Sequence, residues 1–304
     1  MPEYTSSSTF SGAIKYDFYT ALIKESIMTA DTKTIDQFLA ENPDVDVSKQ
    51  WERCWNILTD IKTKIAASYT DNGSNTELVL DPSCEGREYY TSPAGEFEGS
   101  FKAWSGGDCD WLVNSWIGNR KASILDMNAT CFTGQDTDVP HFIMVFGTVP
   151  KLFFYFDFTP RRDIRFDADY LAKYYQPINE EYLALRGHPN FQWAVSHGTY
   201  MRALINPSSQ SLMGDLTDEN ISIFEDYAYK MLGHWLGWQK NATKIETDDP
   251  TRIAQQEYDF KIRELGYRLD PMNKLSEGVF GKEMIETMVD IRMGKDRMEK
   301  TKMF

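Results

Sequence analysis

From Gly99 to Phe158 the chain breaks into short runs of β-forming residues separated by turn signals: SFKAW, the turn SGGD, CDWLVNSWI, SILDMNATCF, HFIMVFG, the turn TVPK and LFFYFDF. Runs of this length, rich in Val, Ile, Phe and Trp and bounded by Gly, Pro, Asn and Asp, are strands. Connections this short leave no room for a crossover helix, so the strands must form an antiparallel meander. The flanking sequence has a different period. Residues from about Tyr16 to Tyr69 are expected to be helical, with Asp36, Gln37 and Phe38 near the opening of one segment. The next carries a helical apolar stripe of Trp51, Cys54, Trp55, Leu58 and Ile61. After Asp167 helix returns, near Tyr170 to Leu185, Asp218 to Gln239, Thr251 to Gly266 and Gly281 to Arg292. Helices before and after a central antiparallel sheet predict an α/β fold, a three-layer α/β/α sandwich with helices on both faces. The 304 residues, 41% of them hydrophobic, suffice for one large core, so residues 1–304 are expected to form a single domain.

Several classes of function are disfavoured. No run of eighteen apolar residues occurs, so no membrane span is expected. The N-terminus MPEYTSSSTFSGAIKYDF has neither an apolar signal core nor transit-peptide character. The expected location is the cytosol, or the plastid stroma if a transit peptide has been removed. A formal net charge of −14 opposes binding to nucleic acid or to an acidic membrane. Cys54, Cys84, Cys109 and Cys131 are scattered without a C-x-x-C pair, and His141, His188, His197 and His234 lack metal-ligand spacing. Buried free thiols and no metal site are therefore expected. The glycine-rich phosphate loops and the Gly-x-Ser-x-Gly elbow are missing too.

The most distinctive stretch is FFYFDFTPRRDIRFDADYLAKYYQ, Phe153 to Gln176. An aromatic strand passes through Pro160 to the cations Arg161, Arg162 and Arg165, then to a tyrosine-faced helix. Read from residue types alone, this is a strand, a turn with solvated arginines and a helix. The loop would be held by an Arg–Asp pair involving Asp157 or Asp163, and Asp157, at a strand end beside arginines, is assigned to structure.

DWLVNSWI from Asp110, HFIMVFGTVPKLFFYFDF, PRRDIRFDADYLAKYYQ and TYMRALINPSSQS from Thr199, taken in order, resemble red chlorophyll catabolite reductases, of the ferredoxin-dependent bilin reductase superfamily. Tyr267, Asp270, Pro271, Leu275, Phe280, Gly281 and Glu283 are similar to a C-terminal pattern of the phytobilin synthases in that superfamily. The resemblance implies an α/β/α sandwich holding an open-chain tetrapyrrole between the sheet and the C-terminal helices. It implies no bound metal or flavin, with single electrons taken from reduced ferredoxin and protons from protein and water. A flat conjugated substrate suits a pocket walled by apolar and aromatic groups with a few placed polar ones.

Carried over residue by residue, the resemblance makes Asp270 a proton donor or positioning acid; the same Asp-Pro also reads as a helix cap. Asn128 matches the asparagine that phycoerythrobilin-type enzymes carry where phycocyanobilin-forming ones have histidine; it also reads as a polar residue on a solvent face. Val145 stands where the family places a central acid beneath the pigment, and no carboxylate occurs between Val139 and Lys151. Strand alternation puts His141 on the face of Val145, where it would assist unless it faces solvent at the strand end. Arg202, Ser208, Ser209 and Ser211 resemble the segment near the propionates, and otherwise form a polar turn. Arg161 and Arg162 are either a propionate clamp or, with Arg165, Lys151 and Lys173, a ferredoxin-docking patch. The functional expectation is ferredoxin-dependent reduction of red chlorophyll catabolite or a related bilin. The alternatives are reduction of biliverdin to a phytobilin, and a non-catalytic tetrapyrrole carrier disabled at Val145.

Overall fold

The computed structural model describes residues 46–70, 77–121, 124–148, 151–194, 199–206, 208–270 and 272–301. The expected segment opening at Asp36, Gln37 and Phe38 lies outside these, as do Pro207 and Pro271. The meander is present strand for strand: β3 (Glu98–Gly106), β4 (Cys109–Asn119), β5 (Ile124–Thr133), β6 (His141–Thr148) and β7 (Leu152–Thr159), each antiparallel to the next. Short strands close its edges. β1 (Val79–Leu80) and β2 (Tyr90–Thr91) pair with β3, while β9 (Gln210–Gly214) pairs with β7 and carries β8 (Gln192–Trp193) beyond it. The segment around Ser211, expected to be a propionate-binding stretch or else a polar turn, contributes the strand β9. Its Ser and Gln residues hide a strand that is buried by its neighbours.

One face of the sheet is a closed apolar layer. Helix α1 (Ser48–Tyr69) lays Cys54, Ile57, Leu58, Ile61 and Ile65 on it, because residues three and four apart share a helix face. After α2 (Asn179–Arg186) and α3 (Thr199–Leu204), helix α4 (Asp218–Lys240) adds Ile221, Phe224, Tyr227, Met231 and Trp235 to the same layer. These meet Phe142, Met144 and Phe146 of β6 and Phe154, Phe156 and Phe158 of β7, none more than 2% exposed. Phe154 stacks on Phe224 at 4.4 Å, and Trp235 donates its indole N–H to Pro140 O at 2.9 Å. The opposite face receives α5 (Pro250–Arg268), α6 (Met272–Phe280), α7 (Lys282–Met293) and α8 (Lys295–Thr301). Phe280, Ile285, Met288 and Val289 there pack on Phe101, Val113 and Phe132. The fold is therefore the expected α/β/α sandwich. The helix expected over Tyr170 to Leu185 is broken, with a π turn at Leu171–Tyr175 and a 3₁₀ turn carrying Pro177 before α2. Proline cannot continue a helical hydrogen-bond ladder. All four cysteines are buried free thiols.

The turn after β7 departs from the sequence reading. Arg161 is not solvated but fully buried, pairing with Asp259 of α5 at 2.7 Å and donating to Thr133 Oγ1 at 2.6 Å and to the carbonyls of Gly134 and Thr137 at 3.0 Å each. His141 is equally buried and faces neither cleft nor solvent. Its Nδ1 accepts the Thr133 N–H at 3.1 Å, which leaves the proton on Nε2, 3.3 Å from the other Asp259 oxygen. Burial, opposed by Asp259 and reinforced by Arg161, pushes His141 down to about 4, so it is neutral at pH 7. Of the two acids expected to pair with an arginine in this loop, Asp163 does so, with Arg165, whereas Asp157 does not; Arg161 takes its partner, Asp259, from far along the chain. Replacing Asp259 with Ala strands a buried guanidinium and should cost about 3–5 kcal/mol of folding stability, measured by denaturant unfolding. A loss below about 1 kcal/mol, the value of an exposed pair, would show the pair to be dispensable.

Candidate functional site

Strand alternation makes the second face of the sheet different in kind from the first. Phe153 and Tyr155 of β7 and Ile143 and Val145 of β6 point to it and are only half-buried, although they sit in the middle strands. Register aligns them in rows across the sheet. Phe101, Ser115, Asn128, Val145, Tyr155 and Ser211 form one row. Asp126, Gly147 and Phe153 lie in the row on one side; Thr130, Ile143 and Asp157 lie in the row on the other. A half-covered central face opposite a closed one, roofed by α5 to α7, is a cleft.

At the α6–α7 end the cleft deepens into a cavity of about 90 Å³ lined by Ile117, Asp126, Asp270, Leu275, Phe280 and Arg292. Asp270 accepts the Met272 N–H at 2.9 Å, so it does cap the start of α6, and the same carboxyl also lines the cavity. Burial raises its pKa against the pull of that N–H and of Arg292. Asp126, which the sequence reading passed over, is lifted to about 6 by burial; Arg292 opposes the rise and the Asp270 carboxyl adds to it. Both acids are part-exposed and line the cavity. Asn128 donates Nδ2 to Ser115 Oγ at 2.8 Å, while its buried Oδ1 makes no hydrogen bond among the described residues. It stands in the row of Val145 and, at 5% exposed, does not face solvent. Tyr267 of α5 reaches down to Thr130 from the roof.

Val145 lies on the cleft face between Asn128 and Tyr155, so no carboxylate occupies the centre of β6. The strands on either side each bring an acid two residues from Val145's cross-strand partner, Asp126 on β5 and Asp157 on β7. Asp157 is 3% exposed, its Oδ2 accepts from Thr159 Oγ1 at 2.8 Å, and its Oδ1 makes no hydrogen bond of regular geometry. Burial pushes it up to about 7, with Thr159 and Tyr155 pulling the other way. This corrects its assignment to an arginine-paired loop. Counting in twos from Val145's cross-strand partner Tyr155 would have located it in the sequence.

The remaining expected residues scatter. Ser208 Oγ and N donate to Asn206 Oδ1 at 3.1 and 3.2 Å, and Ser211 Oγ donates to Ala194 O. Ser209 is fully buried beside Tyr155, and Arg202 is exposed on α3. The cationic cluster is neutralised where it stands. Arg162 pairs with Asp167 at 3.2 Å, Arg165 with Asp163 at 2.5 Å, Lys173 with Asp138 at 3.0 Å and Lys151 with Asp215 at 3.8 Å. With Arg161 buried, the five cations do not make one docking patch. Among the described residues no group of three or more His, Cys, Asp or Glu is arranged to hold a metal ion. No helix among them is long and apolar enough to cross a membrane.

Sheet, roof and acid-lined cleft define an α/β/α sandwich of the kind that bilin reductases adopt. A model of the red chlorophyll catabolite reductase family matches residues 73–290, and the chain belongs to that family. The chloroplastic red chlorophyll catabolite reductase of Arabidopsis thaliana is 23% identical over 218 residues, 66% of this chain and 68% of that protein. Phytochromobilin synthase from tomato, solved in complex with biliverdin, superposes with a TM-score of 0.62 over 76% of this chain and 82% of its own, at 16% identity. At that identity the likeness is one of fold.

The raised acids carry a stability signature. A carboxyl whose folded pKa lies above its unfolded value stabilises the fold below the unfolded pKa, and that contribution is lost as pH rises through the folded one. For Asp157 the window runs from 3.8 to about 7. Asp157→Asn should be more stable than the parent at pH 8 by up to about 4 kcal/mol and should match it near pH 4. Denaturant unfolding at the two pH values checks this; an equal difference at both would mean that Asp157 is ionised throughout.

Proposed function

We propose that this protein reduces an open-chain tetrapyrrole of the red chlorophyll catabolite type in the cleft between sheet and C-terminal helices. Reduced ferredoxin supplies single electrons and the protein assists protonation. The observation that carries this reading is the cleft itself, in a chain of this family: a half-covered apolar and aromatic sheet face with carboxyls that hold protons near neutral pH. Ile143, Val145 and Phe153 offer a flat conjugated molecule a dry surface. Asn128 Oδ1 accepts a pyrrole or lactam N–H, which fixes the pigment without adding charge. Asp270, whose hold on its proton is strengthened by burial, gives that proton to the pigment once an electron has made it basic. Arg202, exposed on α3, is the candidate for a propionate.

Biliverdin is the second substrate to test, because the tomato enzyme of the same fold is seen with it. A carrier that binds the pigment without turning it over is favoured by one observation, the valine at 145. Anaerobic absorbance spectra with red chlorophyll catabolite and, separately, biliverdin, before and after a ferredoxin-reducing system is added, separate the three. A bound band that converts supports reduction and names the substrate; a bound band that persists selects the carrier. Asp270→Asn should keep the bound band and slow conversion about a hundredfold, and an unchanged rate would remove Asp270 from the chemistry.

A further inference from the structure

Asp157 has no place in the reading so far, yet it is the most unusual buried group on the cleft face. Its side chain is 3% exposed, one oxygen is unbonded, and the partner that should neutralise a buried carboxylate is not there. Among the described residues the titratable groups that act with it are Tyr155 on β7, Tyr175 after β7, Tyr227 on α4 and Tyr258 on α5, and none is a cation. The nearby Arg161 is committed to Asp259. A buried acid so placed keeps its proton near neutral pH.

Tyr155 connects that proton to the cleft. Its phenol interacts with both Asp157 and the buried Ser209, and Tyr267 of the roof acts on it from above. The residue is half-buried and stands directly across from Val145, at the centre of the row that also holds Asn128. The acid missing from β6 is thus flanked by a phenol whose neighbour on the same strand face is a carboxyl.

We propose that Tyr155 and Asp157 form a two-step proton relay that serves the pigment at the position left vacant by Val145. This rests on the reductase reading above. When one electron from the ferredoxin donor has produced the pigment radical anion, the Tyr155 O–H bond breaks and its proton bonds to the pigment. The Asp157 O–H bond then breaks to reprotonate the phenolate, leaving a carboxylate that regains a proton from water between turnovers. The relay moves one proton and no electrons; both electrons of the reduction come from the donor. Tyr155 is the group that touches the pigment, and Asp157 acts through it. Ser209 Oγ, beside the phenol, holds the phenolate while it is charged.

The test is the pH dependence of turnover in the full chain, with the converting pigment and a ferredoxin-reducing system, for the parent, Tyr155→Phe, Asp157→Asn and the double variant. In the parent the rate should fall as pH rises through about 7. Each single variant should bind biliverdin with the parent's absorbance band and turn over about a hundredfold more slowly. Asp157→Asn should lose the alkaline fall near 7, and the double variant should be no slower than the slower single one. A rate and pH profile unchanged by Asp157→Asn, or full additivity in the double variant, overturns the relay. If the parent converts neither pigment, it is the reductase reading that falls. Difference infrared spectra of the protein alone then decide the pair: a protonated carboxyl band at pH 6 that disappears in Asp157→Asn and shifts in Tyr155→Phe supports it, and a band indifferent to both substitutions overturns it.

Discussion

Asp259 holds the architecture of the cleft in place. It comes from α5, in the roof, yet its two oxygens are taken by Arg161 at the end of β7 and by His141 at the start of β6, all of them inaccessible to water. Charges withdrawn from solvent this completely tolerate little displacement, because any separation leaves an uncompensated ion in a medium of low dielectric. A second anchor ties the roof to β4. Arg263 of α5 and Arg297 of α8 both reach Asp110, and Arg263 also lies over the Phe132 ring at 4.0 Å. Held at these points, α5 cannot collapse onto the middle strands, and the face between the anchors stays half-covered.

The two sides of the sheet divide the work. Phenylalanines on β6 and β7, buried against α1 and α4, give the sandwich a dense apolar layer. That layer lets the other face carry groups that cost stability: Asp126, Asp157 and Asp270 all sit where burial penalises their charged forms. Functional sites commonly sacrifice stability in this way. Carboxyls of raised pKa and a neutral amide on an aromatic surface suit protonation of a large flat substrate. They suit nucleophilic or metal chemistry poorly.

Much of this was legible before any tertiary information. Alternation and turns located β3 to β7 to within a residue or two, since those strands are separated by short turn segments such as SGGD and TVPK. Asp270 lines the cavity, and Asn128 and Val145 stand side by side in one row of the sheet. The errors have physical causes. Arg161 was read as solvated because neighbouring sequence offers it only Arg162 and Asp163, while its partner arrives from Asp259. His141 alternates with Val145 as expected, but the end of its strand is sealed by the same ion pair. Asp157 has no arginine beside it because Arg161 pairs with Asp259, and its place across from β6 depends on the β6–β7 register.

By itself the sequence determined the order of elements, the antiparallel meander and the absence of an acid from β6, since these rest on local period and on residue identity. Only the tertiary structure decided which buried charges would meet and which sheet face would be left open. It also decided that an acid on β7 would stand beside the gap. Those outcomes depend on long-range pairing, where desolvation makes each buried charge find its partner wherever in the chain that partner lies.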